Sequence, residues 1–480
     1  MRVQFVYPNT VQHPKDISLG IALLSALLKR LGYEVDLIDT TFGMKDSEIL
    51  LKIRKFNPDL IALSSISANF SYAVHIATLA KKQFLIPTII GGIHPTVAPE
   101  EAIGKECFDM ICIGEGEEAL PELVQFLEEG KKEVTIKNIW FKENGVIHRN
   151  AVRPFVRELD SLPDADLEIY DYPRYLKNHN RVGGFISGRG CPYQCTYCIN
   201  HFQQILYRGS GSWVRYRSIT NLMTEIKNVI KKYDIKRIEF YDDTFTLDRS
   251  RVKAFCEQYV QEVGLPFHIN ARVDNLSEEM CRDLANGRCR RVQIGVESGD
   301  ERIRKDFLGR TISDERIIEG CRLIKKYGME LYTFNMIGFP VEKMHHIRKT
   351  VELNRLIKPN AMAVSIFTAY KGTKLYETCK ERGWLDEAKS MGSYYSSTNI
   401  KNPFLSFRKL KCLQRWFGFW VFIGYDPKRA LIELIDRNLI RFKSYSKIRT
   451  FLITKGLRRS EVDHCLRDPS SPQRGKKEGG

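Results

Sequence analysis

Through most of its length the chain alternates short apolar runs with longer stretches whose apolar residues recur at helical spacing. That alternation confines the fold to parallel sheet covered by helices on both faces. Before residue 130 the strand-like runs are Val3–Tyr7, Glu34–Ile38, Leu60–Ser64, Thr88–Ile90 and Met110–Ile113. A buried helix is predicted over Leu19–Leu31, with others near residues 70–83 and 118–128. Small residues follow the strands: Ser64-Ser65-Ile66-Ser67, Gly91-Gly92-Ile93-His94 and Gly114-Glu115-Gly116-Glu117. In a doubly wound sheet these carboxyl ends are where a ligand binds. The first strand is not followed by Gly-x-Gly-x-x-Gly, which argues against a dinucleotide.

A second series of strands begins near residue 183: Gly183–Ser187, Arg237–Tyr241, Phe267–Val273, Arg291–Val296, Leu331–Ile337 and Ala361–Phe367. Six strand–helix units predict a partial parallel α/β barrel rather than a closed eight-stranded one. The expected organisation is a Rossmann-like sheet domain over residues 1–135, a linker at 136–180, the partial barrel at 181–395, a basic helical extension at 396–466 and a disordered tail at 467–480.

At 480 residues, 43% apolar and 28% charged, the chain has the make-up of a folded protein of more than one domain. Its net charge of +17 is uneven: residues 396–480 hold 19 Lys and Arg against 7 Asp and Glu. Such a segment suits anionic partners. Twelve cysteines are too sparse for a disulfide scaffold, and Met1-Arg2 runs straight into a strand without a signal-peptide pattern, so reduced thiols and a cytoplasmic location are expected. The most apolar late stretch, Trp416 to Tyr425, is about half a membrane span.

The sharpest chemical signal is Cys191-Pro-Tyr-Gln-Cys195-Thr-Tyr-Cys198, directly after the first strand of the second series. Three thiolates on one short loop can hold three corners of a four-iron, four-sulfur cube and leave the fourth iron open to a ligand. Unrelated core cysteines are the plain alternative. Zinc is the chemical one, although structural zinc takes four protein ligands and no fourth lies at ligand spacing.

With that loop at the mouth of a partial barrel, the chain resembles the radical S-adenosylmethionine (SAM) superfamily. The resemblance implies a 4Fe-4S cluster on Cys191, Cys195 and Cys198, SAM on the open iron, and cleavage of SAM to a 5′-deoxyadenosyl radical. It also implies roles for neighbours. Tyr197 would pack beside the adenine, and Asp242, Asp243 and Phe245 would lie near the SAM amino group. Glu297 and Ser298 would meet the ribose, and Gly338 would lie by the adenine. Arg272, which ends the third strand of this series, is expected either to pair a ligand carboxylate and help hold SAM or to sit in a salt bridge.

The order of elements before residue 130 resembles the cobalamin-binding domain that precedes the barrel in one large subgroup. The resemblance covers about residues 1–395. It implies a corrinoid held by Leu19, Gly20, Ser64, Ser65, Ser67, Gly91, Gly92, His94, Gly114, Glu115, Gly116 and Glu117. The Asp-x-His-x-x-Gly loop of other cobalamin proteins is absent; the chain reads Pro8 to Lys15 there, with His13. The activity implied is methylation of an unactivated carbon. A radical ring-forming, ring-contracting or oxidative cyclase acting on a lipid-like or tetrapyrrole-like substrate is the rival. A methylthiotransferase would need a second three-cysteine site, where only Cys107 and Cys112 stand; a cobalamin sensor would not need the SAM loop. Implied partners are a small-molecule or lipid-like substrate and an external electron donor of flavodoxin or ferredoxin type, with no nucleic acid. The basic extension would either close the barrel mouth, lie on an anionic membrane, or pack as an ordinary helical addition.

Overall fold

The computed structural model describes residues 1–9, 17–131, 135–386 and 397–439. The loop with His13, the end of the basic extension and the expected tail at 467–480 lie outside the described residues.

The first sheet has seven strands: β1 (Arg2–Tyr7), β2 (Glu34–Asp39), β3 (Leu60–Ser64), β4 (Thr88–Gly91), β5 (Met110–Cys112), β6 (Ile139–Glu143) and β7 (Val146–Arg149), in the order β2-β1-β3-β4-β5-β6-β7. Strands β1 to β5 pair in parallel, and β6 and β7 join antiparallel at the edge. Runs such as Leu60-Ile61-Ala62-Leu63 are buried throughout because helices cover both faces. The order 2-1-3 places a topological switch between β1 and β3, and ligands of doubly wound sheets sit at that point.

The hairpin β6–β7 lies inside the stretch expected to be a linker. Asn144 and Gly145 both take positive φ (49° and 79°), the two-residue turn that closes a tight hairpin. The rest of that stretch is a wedge. Tyr170 donates to Ser18 O (3.2 Å), and Tyr175, which is buried, bonds Asp39 (2.6 Å) and Thr41 (2.7 Å).

The second sheet begins with β8 (Val182–Phe185). A two-residue antiparallel bridge, β9 (Gly188–Arg189) with β10 (Arg215–Tyr216), frames the cysteine loop. Then follow β11 (Arg237–Phe240), β12 (Phe267–Ala271), β13 (Cys289–Glu297), β14 (Glu330–Ile337) and β15 (Ala361–Ile366). Strands β8 and β11 to β15 pair in parallel, in chain order, as an open half-barrel. Ser218, Asp248, Ser277 and Ser313 each cap a covering helix by accepting from a backbone N–H three residues on, a contact worth about 1 kcal/mol each. One apolar core runs from β1 through the helix Leu19–Arg30 and the wedge into the half-barrel.

Helix Phe407–Phe422 packs Leu410, Leu413, Phe417 and Val421 against β15 and the helix Met344–Ile357. Among the described residues no helix is long and apolar enough to cross a membrane.

Candidate active site

The cysteine loop leaves β8 through Gly190, whose φ is +90° and where a Cβ would lie 2.3 Å from Trp213 O; only glycine fits. Each sulfur has a polar neighbour. Cys191 Sγ lies 3.7 Å from Thr244 Oγ1, Asn200 Nδ2 points at Cys198 Sγ (3.7 Å), and Arg272 Nη1 donates to Cys195 Sγ (3.5 Å). Asn200 also accepts from the Cys191 N–H, and Gln204 donates to Cys191 O (2.7 Å), so the following helix pins the loop. Burial pushes the Cys198 thiol up to about 11 and raises that of Cys191. Buried thiols of this kind become thiolates when a metal takes the proton's place. Among the described residues no three ligands close tightly on one point. What the loop supplies is a donor set: three sulfurs on one hydrogen-bonded turn, flanked by a guanidinium, an amide and a hydroxyl. That set fits an iron–sulfur cluster with one open iron.

Arg272 serves this loop. It grips Asp274 with two hydrogen bonds (3.0 and 2.7 Å) and stacks over Tyr193 at 3.6 Å, which aims Nη1 at Cys195. Its charge is therefore spent inside the cluster loop's surroundings rather than left open for a ligand carboxylate.

Asp242 is buried, and its carboxylate accepts from the Ser187 N–H (3.0 Å) and hydroxyl (2.6 Å). Burial raises it to about 6 against the pull of those bonds. It ties the end of β11 to the end of β8, whereas Asp243 opens into the large cavity described below. Phe245 turns the other way, into a cluster with Phe240, Phe255 and Phe267, and is core rather than ligand contact.

Glu297 ends β13 after a register slip at Gly295 and holds φ at +64°, a conformation that costs a non-glycine residue about 1–3 kcal/mol. Tyr197 donates to its Oε1 (3.2 Å), and Arg310 reaches Tyr197 Oη (2.9 Å), Gly295 O (2.8 Å) and, at 3.6 Å, Glu297 itself. Burial raises the Glu297 carboxyl, opposed by Arg310. Ser298 is fully buried and accepts from the Asp300 N–H, so it shapes the turn. Gly338 N–H donates to Glu342 Oε2 (2.5 Å); Glu342 is fully buried, and burial raises it to about 8.

A cavity of about 510 Å³ lies between the carboxyl ends of the first sheet and the mouth of the half-barrel. From the first sheet it is lined by Leu19, Gly20, Ser64, Gly91, Gly92, Gly114, Glu115, Gly116 and Glu117, and from the half-barrel by Arg189, Gly190, Arg215, Tyr241 and Asp243. Gly92 has φ +96°, and a Cβ there would press to 2.7 Å from Ser65 O. Such strand-end glycines, with Leu19, Leu24 and Leu120, give a smooth apolar cradle on which a broad, flat group can lie against backbone.

Three residues expected at that cradle lie elsewhere. His94 is buried, stacks on Phe70 at 3.7 Å and bonds Ser67 Oγ (3.1 Å); burial pushes its imidazole down to about 4. Ser65 bonds Gly91 O through its N–H and receives the His94 N–H at its carbonyl. The trio locks two strand-end loops together behind the cradle. Glu115 and Glu117 line the cavity but are already paired: Arg215 and Arg189 grip Glu115 (2.7 and 3.2 Å), and Arg189 grips Glu117 (2.7 Å). These pairs tie the loop after β5 to the β9–β10 bridge at the cavity.

Sequence reading missed Arg310, Arg189 and Arg215. Arg189 stood in Gly188-Arg189-Gly190 ahead of the cysteines, and Arg310 directly after Gly309, whose positive φ lets the chain turn against Thr196. Neither position is marked by a periodic pattern. Among the described residues the basic extension adds no lining residue to the cavity; helix Phe407–Phe422 packs its apolar face on the half-barrel.

Comparison with known proteins gives two family models. One described as the radical SAM superfamily matches residues 185–353, and one described as a B12 binding domain matches residues 15–124. An uncharacterized methyltransferase of Pyrococcus horikoshii is 28% identical over 387 residues, 78% of this chain and 83% of that one. The radical SAM methyltransferase TsrM of Kitasatospora setae, solved with tryptophan and a SAM analogue, superposes with a TM-score of 0.67 at 16% identity over 89% of each chain. The cobalamin-dependent SAM radical enzyme OxsB, solved with aqua-cobalamin and SAM, gives 0.71 at 18% identity over 98% of this chain and 77% of that one.

Proposed function

The chain belongs to the radical SAM superfamily and carries a B12 binding domain ahead of its half-barrel, and from that premise we propose that it is a cobalamin-dependent radical methyltransferase acting on an unactivated carbon. The observation that carries the reading is a cavity shared by the carboxyl ends of the first sheet and the mouth of the half-barrel. Its lining joins the strand-end glycines of the first sheet to Arg189-Gly190 and Asp243, the residues bordering Cys191 and its neighbour Thr244.

In this reading Cys191, Cys195 and Cys198 hold the cluster, and Arg272, Asn200 and Thr244 keep negative charge on their sulfurs. The Tyr197–Glu297–Arg310 group sets the SAM side of the cluster loop, and Asp243 presents a carboxylate to the SAM amino group. Leu19, Gly20, Ser64, Gly91, Gly92, Gly114 and Gly116 cradle the corrinoid. Bound together, the three groups supply one-electron cleavage of SAM to a carbon-centred radical and a methyl group to transfer. The chain's own part is to hold the two reactive ends over one space, out of water, with the arginine–glutamate pairs fixing the gap between the sheets. The free cysteines among the described residues suit a reducing cytoplasm. The first domain offers two cysteines, Cys107 and Cys112, one short of the second three-cysteine site that a methylthiotransferase would need.

The test is chemical. Anaerobically reconstituted protein given SAM and a strong reductant should form 5′-deoxyadenosine, and Cys195→Ala should form none. Desalted protein loaded with hydroxocobalamin should keep a corrinoid spectrum. S-adenosylhomocysteine accumulating with turnover separates methyl transfer from cyclisation, which forms none.

A further inference from the structure

A second depression, of about 800 Å³, shares no lining residue with the cofactor cavity and lies against the cysteine loop. Its floor includes Thr196, the residue after Cys195. Thr196 is bonded to the groove on three sides: its N–H to Leu308 O (3.1 Å), its hydroxyl to Phe307 O (2.6 Å), and its carbonyl from the Leu375 N–H (2.8 Å). The groove is thereby fastened to the loop that carries the sulfurs. Phe307 on its wall continues into an aromatic group with Phe339 and Trp384 (5.8 and 6.2 Å between ring centres), packed with Tyr197.

The rim is cationic. Arg302, Lys374 and Arg382 are exposed and take part in no ion pair among the described residues; Arg382 lies over Trp384 at 5.0 Å. Of the two acids lining the groove, Asp300 is neutralised by Lys349 (2.8 Å), leaving Asp306 alone against three free cations.

SAM cleavage by the proposed enzyme consumes an electron delivered from outside, and a carrier protein cannot deliver it through a cavity filled by SAM and corrinoid. Transfer between proteins also needs close approach to the acceptor. We propose that this groove docks an acidic one-electron carrier protein, a flavodoxin-type partner, over the outer face of the cluster loop. The proposal rests on the reading above and adds where the reductant binds. The reduced flavin of the carrier loses one electron and the cluster gains it; no bond or proton moves. A compact cationic rim around an aromatic floor is what a transient redox contact uses, since charge steers encounter and a small interface lets the carrier leave.

The test uses the full chain with its cluster reconstituted and an oxidised, fluorescently labelled bacterial flavodoxin, with binding read by anisotropy across a salt series. Wild type should bind, and binding should weaken as salt rises. The triple reversal R302E/K374E/R382E should lose affinity about tenfold or more, as should K374E alone in smaller measure. Reversal at exposed Lys231, on the helix Ile219–Lys232, should change nothing. Cluster bleaching by titanium(III) citrate, too small to need docking, should be equal in all variants. Flavodoxin binding that ignores the triple reversal overturns the proposal, as does no binding by wild type. A salt-sensitive self-association that the triple reversal abolishes assigns the groove to a second copy of the chain and equally overturns it. Failure of the function reading looks different: no iron–sulfur absorption on reconstitution, or no 5′-deoxyadenosine with titanium citrate.

Discussion

Arg310 shows how one buried charge governs a site at the scale of residues. It is 6% exposed in its side chain and touches Tyr197, Gly295 O and Glu297 at once. Glu297 holds a strained backbone angle and a carboxyl drawn out of water, and the guanidinium offsets both. Arg310→Met removes the cation and leaves the carboxyl buried alone, a change that costs about 3–5 kcal/mol. The expected outcome is a lower urea midpoint and a SAM dissociation constant raised at least about tenfold, with iron content unchanged, measured by calorimetric titration of reconstituted protein. An unchanged SAM affinity would remove the Tyr197–Glu297 group from the SAM side. At this scale the cysteines were legible because ligand spacing is local along the chain. Arg310 was not, since its partners lie 113 and 13 residues away and meet only after folding.

At the scale of elements, the alternation of apolar runs located the parallel strands of both sheets, because strands buried on both faces write themselves as continuous apolar sequence. The hairpin β6–β7 escaped that reading. Only β6 buries residues, in alternation with half-buried ones, and β7 at the sheet edge buries none, so the signal left is the pair Asn144-Gly145. Ser65, Ser67 and His94 sit on the expected loops but point behind them, a difference of side-chain direction that composition does not encode.

The turn after β14 carries its own test. Glu342 is fully buried, its Oε2 held by the Gly338 N–H and its Oε1 without a partner. Because burial raises its folded value from 4.5 to about 8, the folded chain binds the proton more tightly than the unfolded chain. Its contribution is therefore full below 4.5 and is lost as pH rises through 8, at up to about 1.4 kcal/mol per pH unit. Glu342→Gln keeps the acceptor for Gly338 and cannot ionise. The stability difference between variant and wild type, from denaturant melts at several pH values, should grow in the variant's favour from pH 5 to pH 8. A difference that stays flat would mean that Glu342 does not titrate.

On the scale of the whole molecule, two sheets of different origin in the chain present their carboxyl ends to one space, and four charged side chains hold them there. Glu115 is gripped by Arg215 and Arg189, and Arg189 also grips Glu117, at the rim of the cavity. Arg215 further donates to Val156 O and lies over Phe155 at 4.1 Å, so it also anchors the connecting segment. Arg215→Met should loosen the gap without touching the cradle glycines or the cysteines. The expected result is faster loss of corrinoid during desalting with iron–sulfur absorption retained; equal retention in the variant would show that the pairs do not set the cavity.

Among the described residues, the cations of the carboxyl-terminal segment take no part in that cavity, and the three cations at the cluster loop lie elsewhere, on the half-barrel. The central claim is that one cavity brings corrinoid and cluster together. It is tested most directly by the electron paramagnetic resonance spectrum of protein loaded with cob(II)alamin and carrying the one-electron-reduced cluster. The account predicts that each signal is broadened and relaxes faster in the presence of the other, and that Cys195→Ala restores the unperturbed cobalt spectrum. Two signals that simply add, unchanged by one another, would contradict it.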